Sequence, residues 1–227
     1  MVVEIKFLGH SAFLIKYENH SIVIDPFITS NPHAAIELAE LKVQDILVTH
    51  GHSDHLGDSV EISKKTGAII TTIFELANFC AKKGAKTQGV NFGGKVPFSW
   101  GSAYWLPSLH TSSTSEGFYC GDPAGILLKI DNTSIYHTGD TGLHYDLKMI
   151  GEFYKPEISI LPIGGYYTMG IDEAVQAAKW LGSKKIIPMH YNTFPPIQAD
   201  AEEFKTKLEA ETDAECIILK PGESYHT

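Results

Sequence analysis

The sequence predicts an α/β protein in which two β-sheets pack face to face with helices outside. Three observations carry this reading. Short apolar or alternating runs recur along the whole chain, in meanders, and stretches with helical spacing separate them. No linker, low-complexity tract or charge run interrupts residues 1–227, so one domain is expected.

The elements follow in order. Residues 3–8 and 12–17 read as strands, and Glu18-Asn19-His20 makes a tight turn into a third strand over 21–25. Residues 33–42 have Ala and Leu around one face and predict a helix. A short buried strand over 46–48 delivers Thr49-His50. A helix over 58–66 closes at Gly67, a strand spans 68–73, and a helix over 75–83 closes at Gly84. Residues 86 to about 110 read as short strands with Gly-rich turns. A hairpin, 125–130 and 134–137 around Asp131-Asn132, leads to Gly139-Asp140. A helix over 143–154, a strand over 158–163 and a helix over 172–181 come next. The strand 185–189 delivers His190, and a helix over 201–211 and a strand over 216–219 complete the pattern.

Bulk properties narrow the function. The net charge is −9, from 27 acidic and 18 basic side chains, and no basic cluster offers phosphates a counterion-releasing face, so no nucleic acid is expected. All 18 basic residues are lysines; without arginine, bidentate clamps on phosphate or carboxylate are excluded. No run of eighteen apolar residues predicts a membrane span, and the N-terminal residues do not read as a signal peptide. Cys80, Cys120 and Cys216 form neither a disulfide framework nor a Cys-x-x-Cys site, which fits a reducing cytoplasm. A homo-oligomer is left open.

The chemistry concentrates in Thr49-His50-Gly51-His52-Ser53-Asp54-His55, four potential metal ligands in six residues directly after a buried strand. His50 and His52 share one side because alternate residues of an extended segment do, and Asp54 and His55 lie on the following turn. One ion can take the first pair and a second ion the other. Imidazole and carboxylate suit zinc, and equally nickel, manganese, iron or cobalt. Two ions need more ligands, and His110, Asp140 and His190 each follow a strand, where a sheet edge would present them.

The order His-x-His-x-Asp-His, then His, Asp and His, resembles the metallo-β-lactamase superfamily. The phrases Leu8-Gly9-His10-Ser11-Ala12-Phe13, Asp25-Pro26-Phe27 and Pro188-Met189-His190-Tyr191-Asn192-Thr193 resemble its small bacterial and archaeal family of metal-dependent hydrolases related to ascorbate-phosphate lactonase. The resemblance implies an αββα sandwich of two mixed sheets with the site at one edge. It also implies His50, His52 and His110 on one ion, Asp54, His55 and His190 on the other, and Asp140 bridging. The zinc β-lactamases of the common subclass carry a cysteine where this chain has Asp140, which argues against antibiotic hydrolysis as the native task.

The expected activity is hydrolysis of a small ester, lactone or phosphodiester by hydroxide shared between two divalent ions, zinc before nickel, manganese or iron. Asp54 holds or accepts the proton of the nucleophile. Asp25, ending the third strand, is read as orienting a ligand histidine through its distal N–H, and His10 as touching substrate. The Gly164–Gly170 turn, Tyr191 and Asn192 are weaker substrate candidates. Two other readings compete. A di-iron redox protein reducing dioxygen or nitric oxide is disfavoured by the lack of a flavin-binding or rubredoxin-like segment. A non-catalytic metal-binding protein would show no turnover.

Overall fold

Alternation along the strands sends side chains to two different layers. In the computed structural model, which describes residues 2–227, strand β1 spans Glu4–Gly9 and β2 spans Ala12–Tyr17. On β2, Phe13, Ile15 and Tyr17 face a core shared with the opposite sheet, whereas Ala12 and Leu14 belong to a separate apolar cluster beneath helices. A strand buried on both faces therefore reads as almost continuously apolar.

The first sheet continues with β3 (His20–Ile24), β4 (Asp45–Leu47), β5 (Ile69–Ile73) and β6 (Lys86–Val90). The second is built from β7 (Lys95–Phe98), β8 (Gly101–Pro107), β9 (Ala124–Ile130), β10 (Thr133–His137), β11 (Ile158–Pro162), β12 (Lys185–Met189) and β13 (Glu215–Cys216). A last strand, β14 (Ser224–His226), returns to pair with β1. Among the described residues each sheet has seven strands, ordered β14-β1-β2-β3-β4-β5-β6 and β13-β12-β11-β10-β9-β8-β7. Both are mixed: β1 to β3 and β7 to β10 are antiparallel, and β3 to β6 and β10 to β13 are parallel.

The helices are α1 (Ser53–Leu56), α2 (Ser59–Thr66), α3 (Phe74–Lys82), α4 (Asp146–Tyr154), α5 (Ile171–Leu181) and α6 (Ala201–Glu211). Ile62 of α2 and Leu76 and Cys80 of α3 cover the first sheet. Leu147 and Ile150 of α4, Ala174, Ala177 and Leu181 of α5, and Phe204 and Leu208 of α6 cover the second. Between the sheets, Phe13 and Trp105 are fully buried among the isoleucines of β9 to β11. The layer order is thus helix, sheet, sheet, helix. Among the described residues no helix is long and apolar enough to cross a membrane.

Three elements differ from expectation. Residues 33–42 hold only a 3₁₀ turn at Leu38–Glu40, because Ala34, Ile36 and Leu38 reach the cluster beneath α2 at a spacing of two rather than 3.6. Helix α4 starts three residues later than its apolar spacing suggests, at Asp146. The strand at 216–219 is reduced to Glu215–Cys216, and β14 beyond it is short and polar, without a period-two signal.

Candidate metal centre

Six strand ends from the two sheets meet at one site. After β4, Val48-Thr49 carries the chain to His50, and Thr49 Oγ1 lies 2.9 Å from His50 Nδ1, fixing the ring. His52 precedes α1, and the single turn of α1 holds Asp54 and His55. The Gly51 N–H donates to Ser112 Oγ at 3.0 Å, tying this loop to the one that follows β8 and carries His110. Asp140 follows β10 and His190 follows β12. His10, Asp25 and His190 directly follow β1, β3 and β12, and all three have left-handed backbone, with φ of 59°, 46° and 54°. This conformation costs a non-glycine residue about 1–3 kcal/mol and is kept where the surrounding structure over-determines it. The His190 N–H donates to the His10 carbonyl at 2.9 Å, so two of these turns brace one another across the sheets.

The donor atoms converge in two neighbouring groups. His50 Nε2 lies 3.0 Å from His52 Nδ1, which lies 3.3 Å from His110 Nε2. A tetrahedral ion with nitrogen ligands at about 2.0–2.1 Å separates them by roughly 3.3 Å, so the three rings already have the spacing of a coordination shell. In the second group, His55 Nε2 lies 3.1 Å from Asp140 Oδ1, and His190 Nε2 lies 3.0 Å from Asp140 Oδ2 and 3.9 Å from Asp54 Oδ2. Asp140 Oδ2 also lies 3.5 Å from His110 Nε2, which puts the carboxylate between the two groups.

The buried polar atoms fit a cation. His55 Nε2 and Asp140 Oδ1 face each other without hydrogen-bond geometry, and neither has another hydrogen-bond partner. An ion between such atoms would satisfy both, whereas an unpaired buried polar group is costly. Charge points the same way. Burial, with His55 nearby, holds the His50 imidazole well below its ordinary value, and burial likewise lowers His52 and His110, leaving the neutral rings that metals need. Burial alone would raise Asp140, but His190 and His55 outweigh it and keep the carboxyl well below its usual range. Burial works against charge on His55 too, yet Asp140 and Asp25 lift it well above its ordinary value. A cation at that point would displace the His55 proton.

Asp25 is fully buried and anchors the cluster from behind. Its Oδ2 accepts from His55 Nδ1 at 2.7 Å and from Thr49 Oγ1 at 2.7 Å, and its Oδ1 accepts from the Thr49 N–H at 2.8 Å. His10, expected to touch substrate, is placed differently. Its side chain is buried, Nε2 lies 3.0 Å from Asp54 Oδ2, and Nδ1 lies 2.8 Å from Thr193 Oγ1. Both ring nitrogens are engaged within the protein, and the ring stands behind Asp54 rather than on the cavity wall. Burial pushes the His10 imidazole down to about 4 against the pull of Asp54. The hydrogen bond from His10 and the nearby His55 keep the Asp54 carboxyl far below its usual range despite burial.

A cavity of about 840 Å³ opens over the donor atoms, with Asp54, His110, Asp140 and His190 in its floor. Its walls include Phe27, Tyr167 and Phe194. Tyr167 is the contribution of the Gly164–Gly170 turn. Tyr191 packs against the cluster beneath α5 and α6, and Asn192 is bonded to Ala199 through both ends of its amide, so neither lines the cavity. Thr49, Thr193 and Phe194 were not singled out from the sequence. Only their adjacency to His50 and His190 could have pointed to them.

Comparison with known proteins identifies relatives of the whole chain. Residues 4–190 match the beta-lactamase superfamily domain. A metal-dependent hydrolase of Pelotomaculum thermopropionicum is 46% identical over 98% of this chain and 99% of its own. One of Methanosarcina barkeri is 48% identical over 98% and 97%. Among solved structures, a metallo hydrolase from the hyperthermophilic archaeon Ignicoccus hospitalis superposes with a TM-score of 0.93 at 38% identity, covering 100% of this chain and 99% of that one.

Proposed function

The chain belongs to the metal-dependent hydrolases of the beta-lactamase superfamily, and from that premise we propose a dinuclear hydrolase of small esters, lactones or phosphodiesters. His50, His52 and His110 would hold one divalent ion, and Asp54, His55 and His190 the other, with Asp140 between the two donor groups. Zinc is the first choice of metal, with nickel, manganese or iron as alternatives that the same donors accept. The observation that carries this reading is the position of Asp140, with one oxygen at His55 and the other within 3.5 Å of both His110 and His190. The chain acts as one domain, and its three free, buried cysteines suit the cytoplasm.

When bound, paired divalent ions supply an ionised water at neutral pH and polarise the oxygen that gains charge. The chain's own residues do the rest. Asp54 lines the cavity with its Oδ2 held by His10, so the carboxylate stays ionised and aimed, able to hold the proton of the attacking water and pass it to the leaving group. Asp25 fixes the tautomer and orientation of His55. Phe27, Tyr167 and Phe194 exclude bulk water from one side of the cavity.

Metal analysis of the purified protein, with turnover of nitrophenyl esters, lactones and nitrophenyl phosphodiesters, tests the proposal. Two ions per chain are expected, together with cleavage that Asp54→Asn lowers by roughly 10²- to 10⁴-fold. A single ion at saturation, or turnover indifferent to Asp54→Asn, would refute it.

A further inference from the structure

The segments that build the cavity carry no lysine. The chain has 18 lysines and no arginine, yet none lies between Lys16 and Lys42, Lys42 and Lys64, Lys95 and Lys129, Lys155 and Lys179, or Lys185 and Lys205. Among the described residues no lysine lines the cavity. The acid at its mouth, Asp58, is engaged elsewhere: it accepts from the Ile28 and Thr29 N–H groups at 2.9 Å each and from Thr29 Oγ1 at 2.6 Å. What remains on the walls is uncharged: Ser30, Ser53 and Thr111 bring hydroxyls, and the rest is flat apolar surface. Phe27 and Phe194 stand 6.4 Å apart between ring centroids, and Tyr167 and Pro196 extend the same surface.

An anionic substituent on a substrate would surrender its hydration here with no ammonium or guanidinium to replace it. An aryl or alkyl group surrenders little and gains contact with the rings. Selectivity then comes from rejection of the charged competitor as much as from attraction of the neutral one.

Resting on the hydrolase reading above, we propose that the substrate is a neutral ester or lactone bearing an uncharged aryl or alkyl group, and not a phosphorylated or carboxylated compound. The Phe27–Tyr167–Phe194 wall takes the uncharged group while the ester carbonyl lies over the floor.

The test uses benzohydroxamate and 4-carboxybenzohydroxamate, which chelate ions alike and differ by one carboxylate. Binding of both to the metal-loaded protein is measured by calorimetry. The neutral probe should bind about tenfold tighter or more. Tyr167→Lys, at a side chain 55% exposed and so replaceable without opening the core, should shrink or invert that ratio. Equal or tighter binding of the carboxylated probe, or no binding of either, overturns the inference. Turnover of phenyl butyrate and monophenyl succinate is followed in parallel. Cleavage of neither, with the hydroxamate preference intact, would count against the hydrolase reading and leave the wall's selectivity standing. Preferred cleavage of the succinate would sink the inference alone.

Discussion

Asp25 and His55 meet in a 2.7 Å hydrogen bond with both side chains fully buried, behind the floor of the cavity. Asp25→Asn keeps the volume and tolerates the left-handed backbone at this position, but it replaces a charged acceptor with an amide. The variant should lose about 10- to 100-fold in affinity for its metal, since such partners orient the ligand ring and raise its basicity. Competition against a chelator of known affinity checks this. Affinity equal to wild type would show that Asp25 serves the fold alone.

Gly57 ends the helical turn that carries Asp54 and His55, with φ of 44°. A Cβ there would lie 2.4 Å from the Pro26 carbonyl oxygen and 2.8 Å from the Phe27 backbone, so the loop after β3 must move. Gly57→Ala should destabilise the protein by about 2 kcal/mol or more and weaken metal binding together with stability. Urea unfolding with and without chelator reads both effects. A variant with unchanged midpoint and metal content would contradict the tight approach of Gly57 to Pro26.

His137, which is not among the donors, makes the stability of the protein depend on pH. The ring is fully buried, donates from Nε2 to the Ser11 carbonyl at 3.0 Å, and accepts the Gly139 N–H on Nδ1 at 3.1 Å. The contact at Nδ1 needs the neutral ring, and burial holds the imidazole below its ordinary value. The unfolded chain therefore takes up a proton near pH 6.5 that the native protein refuses. Stability should fall as pH drops below about 6.5, by at most about 1.4 kcal/mol per pH unit from this residue. His137→Gln should flatten that slope in urea titrations at pH 7, 6 and 5 with saturating metal. An unaltered slope would mean that other groups dominate.

Much of the site was legible because its residues fall where apolar runs stop. His50, His110, Asp140 and His190 each follow a strand that the sequence announces, and the crowding of four candidate ligands at 50–55 demands partners. His10 was misplaced for a physical reason. Its burial depends on Thr193, 183 positions away, and on a left-handed turn that the alternation of the first strand does not signal. The layer order was legible from strands apolar on both faces. The 33–42 segment was not, because its composition suits a helix while its contacts are made at every second residue. Strand β14 depends on the exposed edge of β1, which a local pattern does not describe.

The lysine-free lining also separates the molecule into a part that primary-amine reagents can modify and a part that they cannot. Amine-coupled dyes, beads or sensor surfaces attach to side chains that do not face the cavity among the described residues.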